Sequence, residues 1–202
     1  IYNPLNVEEI LKNSKKKSIK IFSANKKLKI INIGRFAEQK DQFTLLKSLT
    51  YLKGIIEFEA CIVGEGKLKN KLEEYIEKNN LKKKVKILNW MKNPFPLIKQ
   101  ADLFILSSKF EGLPNVLLES LVLKKFIISS NCRTGPKEIL LNGKGGLLFK
   151  VGDYVELAKK IEYYYKNKNK CNNMMINSYK SLKRFDYKNN LNKYSKLLES
   201  LF

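Results

Sequence analysis

Residues 101–120 read ADLFILSSKFEGLPNVLLES. Within them Leu103–Leu106 is a short apolar run of the kind that sits centrally in a parallel sheet. Ser107 and Ser108 end the run, Gly112 and Pro114 forbid its continuation, and the Pro114-Asn115 pair marks a helix N-terminus. Strand, loop and helix in that order leave the first N–H groups of the helix free at the carboxyl end of the sheet. That is where α/β proteins bind ligands, and such groups favour an anion such as phosphate. Two carboxylates accompany them, Glu111 in the loop and Glu119 one turn into the helix. Carboxylates repel a phosphate, so beside one they belong with sugar hydroxyls from which they accept hydrogen bonds. The pattern predicts a ligand that is part phosphate and part sugar.

The same alternation extends in both directions. Strands are predicted at 28–33, 58–63, 85–88, 126–129 and 147–149, and helices at 41–52, 67–78, 94–100, 115–123 and 136–141. Alternation of this kind means βαβ units, hence an α/β fold with a Rossmann-like parallel sheet and helices on both faces. Two helices are predicted to follow, at 154–165 and 173–201. The run Tyr163-Tyr164-Tyr165 is read as packing and surface, not as a stacking platform. At the other end, 1–25 reads as a turn, a short amphipathic piece and a lysine-rich connector.

At 202 residues with 44% hydrophobic content, the chain suits one well-buried α/β domain, and no apolar run approaches bilayer-spanning length. Because Ile1 and not Met stands first, the chain is expected to begin inside a longer protein. Three scattered cysteines (Cys61, Cys132, Cys171) and no histidine argue against a disulfide framework or a zinc site, and favour a reducing, cytoplasmic location. The net charge is +21, from 40 basic and 19 acidic residues. Lysine runs such as 15–17 and 82–84 are read as solvated faces, yet a field of this sign draws the domain towards nucleotide phosphates, nucleic acid or anionic lipid headgroups. Arginine is informative because it is scarce: of the three, Arg35 and Arg133 lie in glycine-containing loops beside strands.

Further motifs surround the predicted ligand. In INIGRFAEQKD (31–41), Gly34 lets the backbone approach a ligand, while Arg35 and Lys40 straddle the loop with a rigid donor fork and a compact charge that suit a diphosphate. In IVGEGKLKNKL (62–72), Gly64 and Gly66 are read first as a structural turn and second as a ligand contact. No D-x-D occurs, the four aspartates being Asp41, Asp102, Asp153 and Asp186. A departing diphosphate needs its charge stabilised by a metal or by fixed cations and dipoles, and Arg35, Lys40 and a helix N-terminus are the means at hand.

The E-x7-E spacing of Glu111 and Glu119 inside SSKFEGLPNVLLESLVLKKFIISS (107–130) resembles the donor-site signature of family-four retaining glycosyltransferases. Their GT-B fold sets two Rossmann-like domains across a cleft, and the chain is similar to the C-terminal, donor-binding half. The resemblance implies a hinge from a preceding N-terminal domain at 1–25, a nucleotide-sugar-binding domain at 26–170, and a helical extension at 171–202 crossing back to that preceding domain. It implies that Arg35 and Lys40 contact the donor phosphates, with the N–H groups of Asn115, Val116 and Leu117 facing them. Glu119 then bonds the ribose, Glu111 and Gly112 meet the donor sugar, and Trp90 and Met91 in KILNWMKN (86–93) line the base pocket. In SSNCRTGPKEIL (129–140), Arg133 shapes the sugar end, and related sequences with this loop tend to be bacterial enzymes building polysaccharides or lipid-linked oligosaccharides. Gly34 completes the donor set, and Glu111, Arg35 and Lys40 form its catalytic part.

The implied reaction moves a hexose or N-acetylhexosamine from a nucleoside diphosphate sugar, with UDP first among the nucleotides, to a glycan or lipid-linked acceptor. No metal or other cofactor is implied, and no nucleic acid is expected as partner. An anionic membrane surface is a further partner, at the inner face of the membrane. Two other readings stand beside this one: a basic nucleic-acid- or membrane-binding module resting on charge alone, and another GT-B enzyme such as a sugar-nucleotide epimerase.

Overall fold

The computed structural model describes residues 1–200. The predicted apolar runs form the strands β1 (Leu28–Ile33), β2 (Phe58–Val63), β3 (Val85–Leu88), β4 (Leu103–Leu106), β5 (Phe126–Ser130) and β6 (Leu147–Phe149). All pair in parallel, in the order β3-β2-β1-β4-β5-β6. Ile30 is in register with Ala60 on one side and Leu103 on the other, so the core of the sheet is apolar in both directions. Every residue of β4 and β5 is buried, as expected of strands covered on both faces.

The helices are α1 (Val7–Asn13), α2 (Gln42–Leu52), α3 (Lys69–Lys78), α4 (Phe95–Gln100), α5 (Asn115–Val122), α6 (Pro136–Ile139), α7 (Tyr154–Lys166), α8 (Lys168–Ser181) and α9 (Tyr187–Glu199). In one layer α2 packs on α3 and α7; in the other α5 packs on α1 and α8. This is an α/β Rossmann-like fold whose strand order reverses between β1 and β4. At such a reversal the loops leaving the two strands diverge to opposite layers and open a crevice at their carboxyl ends. Among the described residues no helix is long and apolar enough to cross a membrane.

Helix boundaries agree with expectation to within a residue or two except at the C-terminal end. The single helix expected at 173–201 is two, α8 and α9, separated by a 3-10 turn at Leu182–Phe185; its last expected residue, Leu201, lies outside the described residues. Phe185 is fully buried and anchors the turn, and Asp186 caps the new helix by accepting from the Asn189 N–H at 2.9 Å. Neither proline nor glycine marks this break, so periodicity runs through it. The segment expected as a connector packs into the same core through Leu5, Ile10, Ile21 and Phe22. Leu5 bridges to Asp186, and its N–H donates to the Phe185 carbonyl at 2.9 Å. Of the three consecutive tyrosines, Tyr164 is buried and stacks on Phe126 with centroids 5.0 Å apart, while Tyr165 is exposed.

Candidate functional site

β1 ends at Ile33, and the Gly34 N–H continues its ladder to the Val63 carbonyl at 3.0 Å. The Lys40 stem lies over Gly34: a Cβ there would stand 3.4 Å, an ordinary contact, from Lys40 Cγ and Cδ. Buried Gln42 donates its Nε2 to the Arg35 carbonyl at 3.0 Å, fixing the loop from beneath. The Arg35 guanidinium is exposed and, among the described residues, donates only to Gln39 Oε1, at 3.3 Å. Asp41 adopts a left-handed conformation (φ 42°) and accepts from the Thr44 N–H and hydroxyl, which starts α2 immediately after Lys40.

The loop after β4 is fastened to this one. Gln39 accepts from the Lys109 N–H at 2.8 Å and donates its Nε2 to the Phe110 carbonyl at 3.0 Å. The Ser107 hydroxyl reaches the Lys40 carbonyl at 3.0 Å, and the Ser108 hydroxyl reaches Glu111 Oε1 at 2.6 Å. Lys40 Nζ lies 2.6 Å from the same Oε1, with side-chain exposures of 17% for Lys40 and 7% for Glu111. From the other side, Ser130 donates to the Ser108 carbonyl at 2.6 Å and Thr134 donates to the Glu111 carbonyl. Gly135, at φ +84°, presses on the same loop: a Cβ there would fall 2.0 Å from the Gly112 oxygen.

These loops enclose a cleft of about 570 Å³ at the reversal between β1 and β4. Of the residues singled out in the sequence, Gly34, Arg35, Lys40, Trp90, Glu111, Asn115, Val116 and Glu119 line it together. Four others do not. Leu117 is fully buried, and its N–H is spent on the Pro114 carbonyl at 3.0 Å, whereas the Asn115 and Val116 amides at the cleft have no protein acceptor among the described residues. Met91 packs against the hydrophobic core, leaving Trp90, 59% exposed, as the aromatic at the cleft. Gly112 is exposed outside the cleft lining, its carbonyl turned to Gly135, and Arg133 is likewise exposed outside the cleft. Gly64 also lines the cleft, Gly66 does not, and neither admits a side chain: a Cβ would meet the Gly34 oxygen at 2.0 Å or the Phe36 oxygen at 2.5 Å.

Sequence reasoning overlooked Glu65, which also lines the cleft, and the apolar floor of Ile33, Val63 and Leu113. It overlooked Gln39 as well, and took Ser107 and Ser108 only as strand terminators. Two hydroxyls placed consecutively at a strand's carboxyl end were the available signal, since successive side chains there point to opposite sides. Among the described residues no three His, Cys, Asp or Glu side chains cluster as metal ligands would.

Glu119 is half-buried and its carboxylate receives no hydrogen bond from the protein among the described residues; burial raises its pKa above the usual glutamate range. The folded protein therefore holds this proton more tightly than the unfolded chain does. The resulting stabilisation is complete below the unfolded glutamate pKa and is lost as pH rises through the raised folded value. Glu119→Gln is expected to raise the melting temperature at neutral pH, with the gain vanishing near pH ~4. Thermal denaturation across that range reads this out; parallel curves for wild type and variant would show that the carboxylate is not strained. The Cys132 thiol, buried behind Ser130, is also raised, by burial first and the nearby Glu111 charge second.

The chain matches the glycosyl transferases group 1 family over residues 13–181, and it belongs to that family. Within it, the chain is similar to an uncharacterized glycosyltransferase of Methanocaldococcus jannaschii, 46% identical over 114 residues that cover 54% of this chain and 27% of that protein. It is also similar to a Campylobacter jejuni enzyme, the N-acetylgalactosamine-N,N'-diacetylbacillosaminyl-diphospho-undecaprenol 4-alpha-N-acetylgalactosaminyltransferase. The identity there is 28% over 179 residues, covering 84% of this chain and 47% of the relative. The chain thus spans less than half the length of either relative. Among solved structures, Anabaena HepE in complex with UDP-glucose shares the fold with a TM-score of 0.80 at 22% identity, over 87% of this chain and 49% of that one.

Proposed function

We propose that this chain is the donor-binding half of a retaining glycosyltransferase that uses a UDP-sugar. The observation that carries the reading is the convergence of Arg35, Lys40 and the free amides of Asn115 and Val116 on one cleft with Glu111 and Glu119 on either side. Fixed cations and amide dipoles hold the diphosphate and stabilise the charge that develops as the bond from sugar to phosphate breaks. Glu119 accepts from the ribose hydroxyls and Glu111 from the donor sugar, while Trp90 borders the base. Because the cations are built in, transfer needs no metal ion.

A second Rossmann-like domain, reached through the segment at 1–25 and contacted by the helices at 171–202, supplies the acceptor side. The acceptor is a glycan or lipid-linked sugar, in line with the undecaprenol-linked substrate named for the Campylobacter relative, and the cationic surface holds the enzyme at the inner membrane face. Calorimetric titration of the chain with UDP, GDP and ADP, repeated in EDTA, tests the donor reading. UDP is expected to bind most tightly and equally well without metal. Absence of binding by all three nucleotides would remove the assignment.

A further inference from the structure

Glu111 sits where an anion is to bind, yet it already occupies the cation meant for that anion. Its Oε1 takes two donors at once, Lys40 Nζ and the Ser108 hydroxyl, each at 2.6 Å. Ser108 is fully buried and its own carbonyl is held by Ser130, so the carboxylate has one orientation. No protein donor reaches Oε2 among the described residues, and both Lys40 and Glu111 line the cleft. The oxygen left over faces the cleft, where a ligand hydroxyl can donate to it.

We infer that Glu111, positioned by Ser108, makes the cleft discriminate between a sugar nucleotide and the bare nucleoside diphosphate left after transfer. The inference rests on the donor reading above. In a sugar nucleotide the terminal phosphate is esterified, and the sugar offers hydroxyl donors to Oε2. In the released diphosphate that ester is replaced by an oxyanion with a pKa of about 6. The new charge competes with Glu111 for Lys40 and faces the carboxylate across the cleft, so the same residue that welcomes the donor expels the product. Specificity of this kind comes from a repulsive element as much as an attractive one.

Calorimetry with UDP, UDP-glucose and UDP-N-acetylglucosamine tests it. Glu111→Gln is expected to bind UDP more tightly by about threefold or more, the scale of a partly screened charge pair, and to bind the UDP-sugars more weakly. Ser108→Ala moves the ratio of the two affinities the same way, and Ser108→Thr, which keeps the hydroxyl, returns it towards wild type. The UDP arm decides. Unchanged or weaker UDP binding by Glu111→Gln overturns this inference while leaving the donor reading intact, whereas a wild-type chain that binds neither UDP nor a UDP-sugar overturns both.

Discussion

Lys40→Met is expected to weaken UDP binding by roughly 10- to 100-fold and to lower the unfolding free energy by about 3 kcal/mol. The two losses have different origins. Binding falls because a charge-assisted contact to the diphosphate disappears, a contribution of about 1.5–3 kcal/mol, or roughly 10- to 100-fold in Kd. Stability falls because Glu111, with only 7% of its side chain exposed, would remain charged with the Ser108 hydroxyl as its one partner. Removing one member of a largely buried pair costs more than the pair itself contributes, since the survivor keeps its desolvation penalty. The double variant Lys40→Met/Glu111→Gln separates the effects. It should recover most of the lost stability in urea denaturation while still binding UDP more weakly than wild type. A double variant as unstable as the single one would show that the unpaired carboxylate is not the cause.

The second large effect is expected from a single added methyl group. Gly64→Ala places a Cβ 2.0 Å from the Gly34 oxygen and 2.9 Å from Phe36 Cε1. The first neighbour is backbone, and it belongs to the residue over which the Lys40 stem lies, so relief requires moving the loop between β1 and α2 as a whole. Overpacking against a rigid element costs about 3 kcal/mol, and here the displacement also carries Arg35 and Lys40 away from Glu111. The variant should melt well below wild type and bind UDP poorly even where it remains folded. Retention of both properties would mean that the two loops are not in the close contact described above.

Much of this architecture was legible because it rests on local rules. The Leu103–Leu106 run, the glycine and proline punctuation and the Asn115 helix start each depend on a few adjacent residues, and together they place a crevice beside Glu111 and Glu119. What escaped depends on residues distant in the chain. Gln39 acquires its role only because Phe110, 71 positions away, presents a carbonyl to it. Ser108 does so because Lys40 arrives at the same carboxylate oxygen. Leu117 was placed among the phosphate-facing amides, but helix geometry returns its N–H to Pro114 and turns its side chain to the core. The break between α8 and α9 escaped for a similar reason, as the burial of Phe185 beneath Tyr2 and Leu5 overrides a pattern that would continue as helix.

The pairing of Leu5 with Asp186 ties the N-terminal segment to the start of α9. Tyr2 is fastened to the same helix, its N–H donating to Asn190 Oδ1 at 3.3 Å. Between Tyr2 and Leu5, Asn3 grips Asn115 at 2.9 Å, in the first turn of α5. A shift of the N-terminal segment would therefore pass through Asn3 to the first turn of α5, whose Asn115 lines the cleft.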